Sequence, residues 1–398
     1  MRTDLCDLFG IDVPIFAFSH CRDVVAAVTN AGGLGVLGAL AFSPEQLELE
    51  CRWIDDHVDG KPYGVDTVMP MSYAGKDEGL GKSDAETGKV DASVFQQMIP
   101  EETKQWIERV LEEYEVPPLP DDLEFGDSGV GGGGTGLLGW TEGGGRNHVD
   151  VALRHAGVKL LVNALGPPPK DIIDLAHAHG VKVAALTGAV EHAQRQKQAG
   201  VDIIIAQGTE AGGHTGEIGS MVLIPDIVEA VAPTPVLGAG GIASGRQAAA
   251  AMALGASGVW TGSVWLTVRE ADISPLVKEK LFSARPKDAV RSRSLSGKPA
   301  RLLRTAWTEA WEREECPGTL PMPLQYMVCS EAQTRINLAA RKEGAKAREL
   351  VGMPVGQVVG RLTQEVSSAD VIYQFIDEFI ETVDRLRQTL DAANTEQA

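Results

Sequence analysis

Residues 208–217 read GTEAGGHTGE, and the histidine set among those glycines, His214, is the leading candidate for chemistry in this 398-residue chain. An imidazole exchanges protons near neutrality, and glycine-rich backbone can present it to solvent and to a ligand. A buried structural histidine is the alternative at this point. Two more glycine-rich segments follow, AGGIASG at 239–245 and TGSV at 261–264. Amide N–H groups reach the oxygens of a phosphate where side chains are absent, so Gly240, Gly241 and Gly262 read as an anion cradle. Tight turns alone would also use them.

Neither a Walker lysine nor a GxGxxG opening a first βα unit is present, so a mononucleotide with one phosphate fits better than a dinucleotide. No HExxH or comparable spacing is present, and no catalytic metal is expected. His57, His155, His177, His179 and His192 fall in helical patterns, and His148 in an irregular stretch. His20 directly follows an apolar run and could share a mouth with His214.

These residues need elements that bring them together. Short apolar runs at 13–17, 34–39, 63–69, 158–164, 181–186, 202–207, 235–239 and 258–262 each end in a loop and lead toward helical sequence. Eight such units predict an α/β closed parallel barrel, with ligands at the C-terminal strand ends and a phosphate near the last two loops; a doubly wound open sheet, which rarely needs eight strands in such regular succession, is the alternative. The repeat is interrupted at 72–148, a stretch with an amphipathic helix at 101–114, a proline cluster and the run GVGGGGTGLLGWTEGGG. So long a break reads as an insertion after strand three, either a mobile flap or a solvent loop. Beyond residue 266 the pattern turns helical, at 273–282, 300–314, 330–350 and 369–390. Domain limits of 1–266 for the barrel and 267–398 for a helical extension follow. The last helix carries Val371, Phe375, Phe379, Val383, Leu386 and Leu390 at helical spacing, which predicts a docking face.

Composition narrows the class. A net charge of −19 opposes a nucleic-acid or anionic-membrane partner, and an anionic cofactor would need local donors. Five cysteines without a CxxC pair suit free thiols in a reducing compartment. The N-terminus has no long apolar core behind a basic start, and no window approaches ~20 apolar residues, so a soluble cytoplasmic protein is expected.

Together QGTEAGGHTG, PVLGAGGIASG, GVWTGS, VPIFAFS and NAGGLGVLGA resemble the nitronate monooxygenase family, FMN-dependent TIM (β/α)8 barrels of the 2-nitropropane dioxygenase type. RLLRTAWTEAW and LPMPLQ add a further echo. The resemblance implies that Ala17, Phe18 and Ser19 lie along FMN, that Gln207, Gly212 and Gly213 contact it, and that Gly240, Gly241, Gly262 and Ser263 hold its phosphate. It makes His214 the catalytic residue and has Thr187 face the flavin. Asp66 stands where family members often carry the Asn of GVN. That implies an acceptor-only carboxylate beside the ring, disfavouring its reduced anion.

The implied reaction is oxidation of an alkyl nitronate by oxygen to a carbonyl compound and nitrite. HTGE also resembles the flavin-dependent enoyl-thioester reductases, so an NAD(P)H-dependent reductase of an enoyl thioester or quinone stays open. A barrel binding a phosphorylated metabolite without flavin, as a lyase or isomerase, is the non-redox alternative. The partner expected is a small-molecule substrate, with NAD(P)H in the second reading. The oligomeric state, a homodimer included, is left open.

Overall fold

The computed structural model describes residues 1–82, 91–120 and 140–395, with side chains to residue 391. Eight parallel strands close into a barrel: β1 (Ile15–Ser19), β2 (Leu34–Gly38), β3 (Tyr63–Thr67), β4 (Val158–Asn163), β5 (Lys182–Thr187), β6 (Ile203–Gln207), β8 (Val236–Ala239) and β9 (Gly258–Thr261). Between β6 and β8 lies a two-residue strand, β7 (Gly213–His214). The circle closes where β9 pairs with β1, Phe16 opposite Trp260. Strands buried on both faces read as continuous aliphatic runs, which is why these segments were legible.

Alternation along the strands separates two cores. Phe16, Val36, Val162, Ile205 and Leu237 fill the barrel interior, joined from below by Leu5, Cys6 and Phe9 of the helix Asp4–Phe9. The intervening residues pack outward against the helices. With its N-terminal end plugged, the barrel offers its interior at the C-terminal strand ends, where parallel barrels carry their sites.

Helices Arg22–Asn30, Pro44–His57, Glu142–Ala152, Lys170–Ala178, Val190–Ala199, Ser220–Val231 and Gly245–Ala253 surround the strands. The remaining place, between Gly245–Ala253 and Arg22–Asn30, is filled by the C-terminal helix Ser368–Thr395. Its approach is close enough that a Cβ on Gly245 would overlap the Phe375 carbonyl. Val371, Ile372 and Phe375 are buried, each burial contributing about 1.5–3 kcal/mol. The predicted docking face extends past the contact, because Leu386 and Leu390 are exposed.

The segment between β9 and this helix is not purely helical. Strands β10 (Ala289–Ser292) and β11 (Ala300–Leu303) pair antiparallel, and β11 takes β7 on its other edge. The start of the expected helix at 300–314 is therefore a strand, with helix beginning at Ala306. Helical periodicity cannot distinguish so short an apolar run from a strand.

The described part of the insertion is docked. Its helix Glu101–Glu113 buries Trp106, Ile107, Val110 and Leu111 and packs against the helix Leu324–Ala339. Arg335 reaches Glu108 at 2.6 Å, and Arg313 reaches Glu113 at 2.6 Å. The glycine run through residue 139 lies outside the described residues. The next glycines, 143–145, are helical, and Gly145 lets the helix Glu142–Ala152 approach Val68 and Met69. Among the described residues no helix is long and apolar enough to cross a membrane.

Candidate active site

His214 stands on β7, just beyond the mouth end of β6, and is held by residues from both long excursions. Its partner in register is Ala300 of β11. Its Nε2 lies 2.6 Å from Ser296 Oγ, and Trp140 meets the imidazole edge-on at 5.3 Å. Tyr326 packs tilted against Trp140, also at 5.3 Å. Arg301 fixes the loop from below, donating to Thr209 O at 2.8 Å and Ala289 O at 2.7 Å. Burial first, and the charge of Lys298 second, push the His214 imidazole down to about 4. It is neutral at physiological pH, with one ring nitrogen able to accept a proton.

Ser296, Trp140, Tyr326, Arg301 and Lys298 were missed from sequence. The serine alternation RSRSLSG was the signal for Ser296, since Ser292, Ser294 and Ser296 are all buried, and Arg301 opens the RLLRTAWTEAW segment. Lys298 is a partly buried ammonium that donates to Ser72 O at 3.3 Å, and burial lowers its pKa. In a chain of net charge −19 it supplies local positive potential beside the histidine.

The cradle expected at the last two strand ends has its donors free. None of the described hydrogen bonds occupies the amides of Gly240, Gly241, Ile242, Gly262 or Ser263. Gly240 adopts φ +88°, and a Cβ there would meet Gly208 O at 2.8 Å, so this turn requires glycine. Ser263 Oγ accepts the Gly356 amide at 2.8 Å, which leaves its O–H to donate onward. Gly212 faces the same stretch, where a Cβ would meet Gly356 N at 2.8 Å. A cleft of about 480 Å³ runs past Gly240 and Gly241, lined also by Glu210, Gln357 and Arg361. Such a donor set fits the phosphate of a flavin mononucleotide.

The residues along the ring divide by direction. Phe18 points inward and stacks with Trp260 at 6.0 Å. Gln207 follows the inward pair Ile203 and Ile205, and its side-chain amide has no hydrogen bond among the described residues. Three other side chains are turned away. Ala17 is fully buried in the outer core, and Ser19 Oγ accepts the Cys21 amide at 3.1 Å. Thr187 shares the outward parity of Val183 and Ala185, and its hydroxyl closes a turn on Ala189. These three can meet a ligand through backbone alone, because adjacent strand residues face opposite sides.

Asp66 departs further from expectation. It is 6% exposed, Oδ1 has no hydrogen-bond partner among the described residues, and burial alone raises its pKa to about 8. At neutral pH it is a protonated acid that can donate, and not the acceptor-only carboxylate expected from sequence. His20 lies beside the mouth with Nδ1 2.9 Å from Gly38 O and its ring edge-on to Phe18, so it serves as a wall. His155 is paired with Asp55 at 2.7 Å, His177 with Asp202 at 2.7 Å, and His148 with Phe42 O at 2.9 Å.

Comparison with known proteins adds a second line of observation. Residues 137–378 match the family model described as nitronate monooxygenase. A Mycobacterium tuberculosis protein described as a monooxygenase is 52% identical over 387 residues, covering 97% of this chain and 99% of the other. A Staphylococcus aureus protein described as a nitronate monooxygenase is 28% identical over 374 residues, covering 89% and 91%. The solved nitroalkane oxidase of Streptomyces ansochromogenes superposes with a TM-score of 0.73 at 25% identity, covering 96% and 99%. FabK of Thermotoga maritima superposes with a TM-score of 0.68 at 25% identity, covering 98% and 99%.

Proposed function

Given that the chain belongs to the nitronate monooxygenase family, we propose that this flavin-dependent oxidoreductase holds FMN across its barrel mouth and oxidises alkyl nitronates with oxygen to a carbonyl compound and nitrite. The observation that carries this reading is a neutral His214, fixed by Ser296 and Trp140 at the strand end next to an amide cradle with free donors.

In this reading the amides of Gly240, Gly241, Gly262 and Ser263 hold the phosphate, while Phe18, Gln207 and Asp66 line the ring. When bound, the flavin supplies one-electron oxidation of the nitronate, with oxygen the final acceptor. His214 then has two compatible tasks. Its neutral nitrogen accepts the acidic proton beside the nitro group of a nitroalkane, and its N–H donates to a nitro oxygen of the nitronate. Lys298 favours the anionic nitronate over the neutral nitroalkane by Coulombic attraction, and the same charge adds to burial in keeping His214 deprotonated. Trp140 and Tyr326 shield one side of the imidazole from water.

The likeness to FabK, together with HTGE, favours the second reading, in which NADH or NADPH reduces the flavin and His214 gives a proton to an enoyl thioester or quinone. Anaerobic mixing separates the two. Flavin-loaded protein that bleaches with a nitronate and not with NADH or NADPH supports the monooxygenase; the reverse pattern would sink it. Heat release of the cofactor followed by mass spectrometry distinguishes FMN from a dinucleotide.

A further inference from the structure

Asp66 is a buried polar group for which that reaction provides no task beyond lining the ring. It sits next to the last residue of β3, in register with Gly38 on one side and Val162 on the other. The row continues from Val162 to Ala184 and Ile203, all inside the barrel, so the Asp66 side chain enters the interior and not the helix layer. Its Oδ1 is sealed from solvent without a donor. An ionised carboxylate in such a place loses its hydration and gains nothing in return.

The neighbouring elements offer no counter-charge. His20, over Gly38, is engaged with the Gly38 carbonyl. On the helix Glu142–Ala152, packed against β3, Arg146 is paired with Glu142 and Asp171, His148 with Phe42 O, and Asp150 is exposed. Lys159 of β4 is exposed, β2 and the turn Ala39–Ala41 carry no titratable group, and His214 is held by Ser296. Burial is accordingly the single cause acting on the Asp66 proton.

We propose that Asp66 serves the flavin as a neutral carboxylic acid, its O–H donated to an acceptor on the ring, so that loss of this one proton weakens both the binding of the cofactor and its reduction. The inference rests on the flavin-binding reading of the mouth. A protonated acid offers a donor where negative charge builds up on reduction; the ionised form offers a like charge instead. Electrons enter the ring from the reductant, and an Asp66 already ionised takes its proton back from solvent as they do. Proton uptake per electron pair therefore rises by one across its titration. An asparagine would donate N–H at every pH, so the pH dependence belongs to the acid.

Two measurements on the reconstituted protein, wild type and Asp66→Asn, test this between about pH 6 and pH 9.5: FMN affinity by fluorescence quenching, and midpoint potential against a reference dye. Wild type is expected to lose at least threefold in affinity, and to gain one proton per electron pair, through a transition near pH 8; Asp66→Asn shows neither. Infrared difference spectra of wild type should show a protonated carboxyl band that disappears over the same range, which keeps the test decisive if the variant folds poorly. Tight FMN binding with no pH transition, or no such band at neutral pH, overturns the inference and leaves the flavin reading standing. Failure to bind FMN at any pH overturns both.

Discussion

Ser296 Oγ lies 2.6 Å from His214 Nε2, the serine in the turn between β10 and β11 and the histidine on β7, which pairs with β11 through Ala300. The serine has no other described side-chain partner, so its hydroxyl is free to orient the ring and set which nitrogen carries the proton. His214→Asn should retain FMN and lose about 10²–10⁴-fold in turnover. Ser296→Ala should lose about tenfold, the equivalent of one hydrogen bond. Steady-state kinetics on flavin-replete protein checks both, and normal turnover by His214→Asn would make the histidine structural.

The pH profile follows from the depressed imidazole. Below its folded pKa of about 4 His214 is charged and cannot act as a base, so the acidic limb of kcat/KM should lie near pH 4 and not near the ordinary pH 6.5. Since the unfolded histidine binds its proton at higher pH, the same group contributes stability that is lost as pH falls from 6.5 toward 4. Lys298→Met removes a positive neighbour and should move the limb upward. An unchanged limb in that variant would show that Lys298 does not act on His214.

Arg301 is the structural anchor of the histidine loop. Arg301→Met leaves the carbonyls of Thr209 and Ala289 without their donor, at a cost of about 1–3 kcal/mol for each buried acceptor left unpaired. Turnover should fall more than FMN affinity, because the phosphate cradle lies on other strands. Equal losses in both would place the anchor's effect on the whole barrel.

Gly245 decides how closely the C-terminal helix seats. Glycine to alanine inside a helix ordinarily gains up to about 1 kcal/mol. Here the added methyl would overlap the Phe375 carbonyl, a backbone atom that cannot rotate away, so overpacking wins. A net loss of about 1–3 kcal/mol is expected from urea denaturation. Stabilisation by Gly245→Ala would contradict the close seating of this helix.

The barrel was legible because each strand is a short aliphatic run punctuated by glycine, and the structure places all eight within about two residues of the sequence bounds. His214 stood out as a candidate for a similarly local reason, its flanking glycines. Inward or outward direction was not: Thr187 and Ser19 stand at strand ends, yet strand parity turns their hydroxyls away from the interior. Ser296, Trp140 and Tyr326 come from segments with no periodicity, and nothing local announces that tertiary packing will bring them to one ring. Asp66 could be seen as a residue type, but its protonation depends on desolvation by strands distant in sequence. The amphipathic stripe of the last helix showed that it would be buried, and could not show where.

That helix, Ser368–Thr395, closes the ring next to Arg22–Asn30, so elements from the two ends of the chain are neighbours. A chain emerging from the ribosome can pair all eight barrel strands once Thr261 is out, while β11, Ser296 and the final helix are still to be made. The barrel sheet is thus available well before the histidine can be aligned. On the proposed reading of His214, competence for chemistry arrives late in synthesis, and a prematurely released chain carries the eight strand segments while lacking those that aim the imidazole.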